Sequence, residues 1–203
     1  MITLAIPTDS PAVVGPLQGQ WTYADWEKLP DDGNRYEIID GVLYMTRTPS
    51  NFHQWILSRI YRGFAIPGED QGFGFAFFAP SGVIAESVTP VEPDFMFVTM
   101  AQMGIIRNKH VYGAPALIIE ILSPSNRDYD EDVKRAAYAR AGVAEYGVVD
   151  PTSRAVRLYT LNADGQYGAA RGFTAGDVLA FACLPGISAP VHTLFDGAPD
   201  TTL

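Results

Sequence analysis

The chain has 203 residues, 47% of them hydrophobic and 18% charged, which is enough for one sizeable core and excludes wholesale disorder. A single cysteine, Cys183, excludes an intramolecular disulfide framework and a multi-cysteine zinc site. A formal net charge of −9 (14 Lys+Arg, 23 Asp+Glu) opposes long-range attraction of nucleic acid.

The first 20 residues are rich in Pro and Gly and read as an extended arm. They carry neither a basic n-region nor an apolar h-region, so no signal peptide is expected. No later run approaches the roughly 18–20 apolar residues of a membrane span, and the expected setting is cytoplasmic. Residues 21–203 read as a single domain. TYADWEKLP, from Thr22, predicts a short helix that Pro30 ends. After the turn DDGN, the β-prone runs Tyr36–Ile39 and Val42–Met45 flank Asp40-Gly41, a strong hairpin signal. Phe52, Trp55, Ile56, Ile60 and Phe64 recur at helical spacing behind a cap at Ser50 or Asn51. Strands are expected at Gly74–Phe78, Gly82–Glu86 and Asp94–Val98. ALIIEIL (Ala116–Leu122) is nearly continuous apolar sequence and suits a central strand covered on both faces. A helix over Asp130–Ala141, stopped by Gly142, precedes strands at Tyr146–Val149 and Val156–Leu161. This order implies an α/β (α+β) fold with a mixed central sheet flanked by helices.

Three residues carry the chemistry. Glu120 sits among Ile118, Ile119, Ile121 and Leu122, and an isolated carboxylate there is costly unless a partner compensates it. It either pairs with an arginine or loop amides, or faces a metal or reacting group. Asp94 starts a strand, and beside Glu120 it would complete a carboxylate pair able to share Mg²⁺, which takes one or two carboxylates plus waters. Lys134 lies about 100° round the helix from Val133, at the edge of a small-residue stripe. Its stem could return the ammonium to the carboxylates, or it could be a solvated lysine paired with Asp130 or Asp132. Tyr138, at i+4, shares its face.

The ordered set RYEIIDGVLY, PSNFH, PDFMFV and GAPALIIEILSPSNRDYDEDVKRAAYARAGVAEYGVVDP resembles the Uma-type endonuclease family. That family belongs to the PD-(D/E)XK, restriction-endonuclease-like superfamily, and the resemblance runs over residues 21–160 or so. It implies a restriction-endonuclease-like core and hydrolysis of DNA phosphodiester bonds with Mg²⁺ (or Mn²⁺). In that pattern Asp94 and Glu120 are the metal ligands, with the backbone carbonyl of Ile121 as an additional one. Lys134 orients the attacking water. Glu37 matches an acidic position able to serve a second metal or its water shell. His53 matches a histidine at the start of the helix, and its apolar neighbours at i+3, i+4 and i+7 suit a buried structural role equally. His110 and His192 match nothing and are expected at the surface. The superfamily's usual strand lysine is replaced by Leu122, so its role either passes to Lys134 or is lost. Gly147 replaces a frequent aromatic, with packing rather than chemistry affected.

Charge is unevenly placed: residues 1–100 hold 5 basic and 12 acidic side chains, and residues 101–175 hold 9 and 8. Arg107, Lys109, Arg127, Arg135 and Arg140 are the candidate DNA contacts, or else a solvated surface paired with Asp128–Asp132. A homodimer is the expected assembly on the family's habit. Two other classes compete: a catalytically inactive nuclease fold used for association, and a glycosidase-like carboxylate pair that needs no metal and leaves Lys134 unexplained.

Overall fold

The structure, a computed structural model, describes residues 13–32, 34–46, 49–85, 88–123 and 127–199. Most of the expected N-terminal arm therefore lies outside the described residues, as do Glu86 and residues 124–126.

The elements run α1 (Tyr23–Trp26), β1 (Arg35–Ile39), β2 (Val42–Thr46), α2 (Asn51–Ile60), α3 (Ile66–Asp70), β3 (Gly74–Phe78), β4 (Gly82–Ala85), β5 (Val88–Val91) and β6 (Phe95–Thr99). After β6 come β7 (His110–Tyr112), β8 (Leu117–Ile121), α4 (Arg135–Ala141), β9 (Glu145–Asp150), β10 (Ala155–Thr160), β11 (Arg171–Phe173), β12 (Val178–Ala180) and β13 (Ser188–Pro190). A turn of π-helix, Tyr61–Ala65, joins α2 to α3, and a second, Tyr129–Lys134, leads into α4.

Local chemistry accounts for most boundaries. Thr22 and Asp25 form a capping box at α1. The Ser50 hydroxyl accepts from the His53 N–H and caps α2. Asp40 and Gly41 both take positive φ (50° and 73°), as a tight hairpin turn requires, and β1 and β2 pair in register from Arg35↔Thr46 to Ile39↔Val42. Gly142, at φ 90°, ends α4.

Two sheets form the core. One has the order β2-β1-β5-β4-β7, the other β11-β10-β9-β8-β6-β3, and β12-β13 is a separate ribbon. In the six-stranded sheet β8 is interior, parallel to β9 and antiparallel to β6, which makes the sheet mixed as expected. The five-stranded sheet draws on β5 and β7, which the sequence pattern does not reveal. Alternation divides β8: Leu117, Ile119 and Ile121 join a core with Ile56, Ile60 and Phe64, while Ile118 and Leu122 join one with Ile39, Val83, Val91 and Tyr138. Glu120 shares the second face, so it points between the two sheets. Gly147 faces Ile119, where an added Cβ would stand 3.3 Å from Ile119 Cγ1.

Candidate active site

Three carboxylates converge on one ammonium in the space between the sheets. Glu120, from β8, accepts at Oε1 from Lys134 Nζ at 2.9 Å and from the Tyr138 hydroxyl at 2.8 Å. Lys134 Nζ also lies 3.3 Å from Glu37 Oε1 and 3.6 Å from Asp130 Oδ1. All four of these ionisable groups are buried, Glu37 completely. The wide turn at Tyr129–Lys134 turns Asp130 and Lys134 inward together, four residues apart and facing each other. Lys134 is therefore buried rather than solvated, and its Asp130 partnership is part of the interior cluster.

Asp94 immediately precedes β6 and meets Glu120 through a reciprocal exchange. The Asp94 N–H reaches Glu120 Oε2 at 3.4 Å, and the Ile121 N–H donates to Asp94 Oδ2 at 2.9 Å. His53 Nε2 lies 2.9 Å from the same Oδ2, so His53 is both buried and in contact with a candidate ligand. Its Nδ1 has no partner among the described residues. The hydrogen bonds from described residues reach Asp94 through Oδ2.

Glu37 comes from the other sheet. Its Oε1 accepts from the Glu92 N–H at 2.8 Å and its Oε2 from the Tyr129 hydroxyl at 3.0 Å. With both oxygens engaged inside the protein, Glu37 braces Lys134 across the inter-sheet gap. Glu92 in turn is held by Arg35, Nε to Oε2 at 3.1 Å and Nη2 to the backbone oxygen at 2.7 Å.

The electrostatics follow from the Lys134 ammonium lying in contact with several buried carboxylates. Burial pushes Glu120 up to about 7, with Asp94 and Glu37 adding repulsion that Lys134 only partly offsets. Burial likewise raises Asp130 well above the carboxylate range, against the attraction of Lys134. Burial alone would raise Asp94 too, but the His53 hydrogen bond and charge, Lys134 and the Ile121 N–H together hold it below its ordinary value. Burial works against the charge of Lys134, yet Glu120, Glu37, Asp130 and Asp94 outweigh it and raise its pKa. These carboxylates favour the protonated ammonium, which serves as a hydrogen-bond donor to Glu120.

The arrangement brings together Asp94, Glu120, Lys134, Glu37, His53 and Tyr138. It separates them from the candidate DNA contacts. Arg127 pairs with Asp150 at 3.0 Å and Glu131 at 3.5 Å, Arg135 with Asp132 at 3.8 Å, and Arg140 with Asp40 at 2.5 Å. Arg107 and Lys109 are exposed. His110 is not a surface residue: it is 6% exposed, packed edge-on against Tyr23 and Trp26 at 5.8 Å each. Neither of its ring nitrogens bonds a described residue, and burial lowers its pKa. The cause is α1, whose Tyr23 and Trp26 rings pack against His110. His192 does lie at the surface, 2.9 Å from Asp196.

Sequence reading missed Tyr129, Glu92 and Arg35, and took Asp130 only as a surface partner. The spacing held a signal for two of them. Asp130 is four residues before Lys134, and Arg35 shares the strand face of Glu37 two residues on.

The donor set suits a hard divalent cation, since Mg²⁺ needs only one or two carboxylates with retained waters. Asp94 and Glu120 supply them. Among the described residues no group of three or more His, Cys, Asp or Glu is arranged to hold a metal ion by itself. Lys134 and the hydrogen-bonding groups take up the remaining acceptor positions. No helix of the described residues is long and apolar enough to cross a membrane.

Comparison with known proteins agrees with this architecture. A search of curated proteins finds no match. Among solved structures, a "putative nuclease belonging to DUF820" from Anabaena variabilis ATCC 29413 superposes with a TM-score of 0.73 at 18% identity, covering 89% of this chain and 98% of that one. At that identity the likeness establishes a shared fold. A family model described as "Uma2: Putative restriction endonuclease" matches residues 22–192, which takes in every residue of the cluster. The chain therefore belongs to the Uma2 family.

Proposed function

We propose that the chain is a Mg²⁺-dependent (or Mn²⁺-dependent) endonuclease that hydrolyses DNA phosphodiester bonds. The observation that carries the proposal is the placement of Lys134 Nζ 2.9 Å from Glu120 Oε1 in the interior, beside Asp94, from an element that follows the acidic strand. That is the acid, acid and lysine constellation with the lysine supplied from a helix instead of the strand. Leu122, on the face where the superfamily's lysine would sit, is buried and packs in the core.

Asp94 and Glu120 would hold the metal. The Ile121 carbonyl would join them, because in an extended strand it points to the same edge as the Ile121 N–H that meets Asp94. A bound divalent ion polarises the scissile phosphate and lowers the pKa of water. The protein's own part is positional. Lys134, its charge favoured by the carboxylates around it, donates to the attacking water and to charge developing on phosphorus. Glu37, Asp130 and Tyr129 fix its stem and head. His53 orients Asp94, and Tyr138 orients Glu120. On family habit the assembly is a homodimer, which sedimentation equilibrium would register as a doubled mass.

The test is calorimetric titration of Mg²⁺ and Mn²⁺ into wild type and Glu120→Gln, with plasmid nicking measured alongside. Saturable binding and chelator-sensitive nicking in wild type, both lost in Glu120→Gln and Asp94→Asn, support the proposal. Lys134→Ala should keep metal binding and lose at least about a hundredfold in rate. Unchanged nicking in all three variants sinks the site assignment.

A second reading has its own observations: the −9 charge, and carboxylates already engaged by protein donors without a three-ligand group among the described residues. It is a nuclease fold kept for association. A wild type that binds neither metal, even with DNA present, would favour it.

A further inference from the structure

The proposed site has an electrostatic difficulty. A DNA phosphate approaching it meets Glu37, Asp94, Glu120 and Asp130, and among the described residues Lys134 alone stands in their midst. The arginines and lysine singled out from the sequence do not relieve this. Three are paired with carboxylates outside the cluster and two are exposed without contact to it.

Arg35 is placed differently. On β1 it lies two residues from Glu37, so both side chains leave the same face of the strand, the face turned toward Lys134. Glu37 is completely buried and Arg35 keeps 25% of its side chain exposed, which places the guanidinium at the rim of the cluster. Glu92 fixes it in orientation. Nε is bound to Glu92 Oε2 and Nη2 to the Glu92 backbone oxygen, whereas Nη1 bonds no described residue. Glu92 is itself tied to Glu37 through its N–H and stands two residues before Asp94. Burial works against the charge on Arg35, but Glu37, Asp94, Glu92 and Glu120 more than offset it, so the guanidinium lies within the field of the candidate metal ligands. An exposed structural ion pair would need none of this connection.

We infer that Arg35, held by Glu92 at the rim of the carboxylate cluster, is the residue that receives a backbone phosphate of the nucleic-acid substrate. The inference rests on the nuclease reading and names the contact that reading lacks. A guanidinium anchored on one edge presents its remaining N–H groups as a rigid fork, matched to the planar spread of phosphate oxygens. It also supplies positive charge where a chain of net charge −9 would otherwise repel the substrate.

The experiment uses the full chain and two readouts. One is anisotropy of a fluorescein-labelled duplex DNA in EDTA across a salt series. The other is steady-state plasmid cleavage in Mg²⁺. Arg35→Ala should lower kcat/KM about tenfold or more. It should also reduce the slope of log affinity against log salt by about one, with Mg²⁺ affinity by calorimetry unchanged. Arg35→Lys should recover only part of the loss, because an ammonium keeps the charge without the fork. Arg171→Ala, an exposed arginine on the far edge strand, should behave as wild type. If Arg35→Ala does not fold, Arg35→Gln, which keeps an amide donor for the Glu92 backbone oxygen, carries the same expectation. Wild-type binding and cleavage in the Ala or Gln variant, with only the unfolding midpoint lowered, overturns the inference and returns Arg35 to a structural partner of Glu92. Full recovery by Arg35→Lys overturns the anchored fork. A wild type that neither binds nor cuts DNA overturns the nuclease reading itself, and this contact with it.

Discussion

Glu120 shows what a buried carboxylate does to stability. Its ordinary value of 4.5 rises to about 7 in the folded protein, so between those values the folded chain holds more protons than the unfolded one. Stability must then fall as pH rises through that window, by up to about 1.4 kcal/mol per pH unit for one proton. Asp130, also raised, acts in the same sense. Urea midpoints from pH 4.5 to 7.5 should decline in wild type and decline less in Glu120→Gln. Asp94, held below its ordinary 3.8, works the other way, and its contribution is lost only in stronger acid. Lys134 is the counterpart. Replacing it with Met leaves three carboxylates without their cation, and denaturation in EDTA should show a loss of about 3–5 kcal/mol. Glu120 was conspicuous in the sequence because it interrupts the apolar run ALIIEIL, whereas Asp94 and Lys134 stood out only through the ordered resemblance around them. The burial of His110 was not legible, since the rings that bury it come from Tyr23 and Trp26, far away along the chain.

Among the elements, those governed by local chemistry match their sequence signals closely. The Asp40-Gly41 turn is one. Gly41 sits at φ 73°, and an added Cβ would stand 2.6 Å from the Gly19 backbone oxygen. Gly41→Ala should therefore cost at least about 1–2 kcal/mol in a denaturant titration, from the left-handed conformation alone. The strands β5 and β7, of four and three residues, were missed because runs that short carry too little alternation, and Pro90 sits within β5. The Tyr129–Lys134 turn was missed for a geometric reason. A 3.6-residue period places Lys134 at the edge of the packed stripe, and the wider i→i+5 turn brings it inside. Of the two placements the sequence left open for Lys134, the structure shows the buried one, with the ammonium returned to the carboxylates.

At the scale of the whole molecule, Lys134 already neutralises part of the cluster, so the chain should stay folded without metal. Chelation should remove nicking while circular dichroism stays native. Mg²⁺ at about 100 times its Kd should add about 2.7 kcal/mol of stability, readable as a rise in Tm by scanning calorimetry. The mixed sheet with flanking helices was legible from element order, because βα alternation restricts the layers available. The second sheet was not, because it assembles from pieces spread between residues 35 and 112, and no local pattern encodes pairings that distant.

The same distance has a temporal consequence. Glu37 hangs from one sheet while Asp94 and Glu120 belong to the other, and Lys134 arrives from a helix beyond both. None of the halves contains the constellation. A partly synthesised or partly refolded chain can own a finished hairpin and still be inert toward a phosphodiester. Catalytic competence should appear only when the sheets dock, so in stopped-flow refolding it should trail the recovery of β-structure and coincide with the burial of Tyr129 and Tyr138.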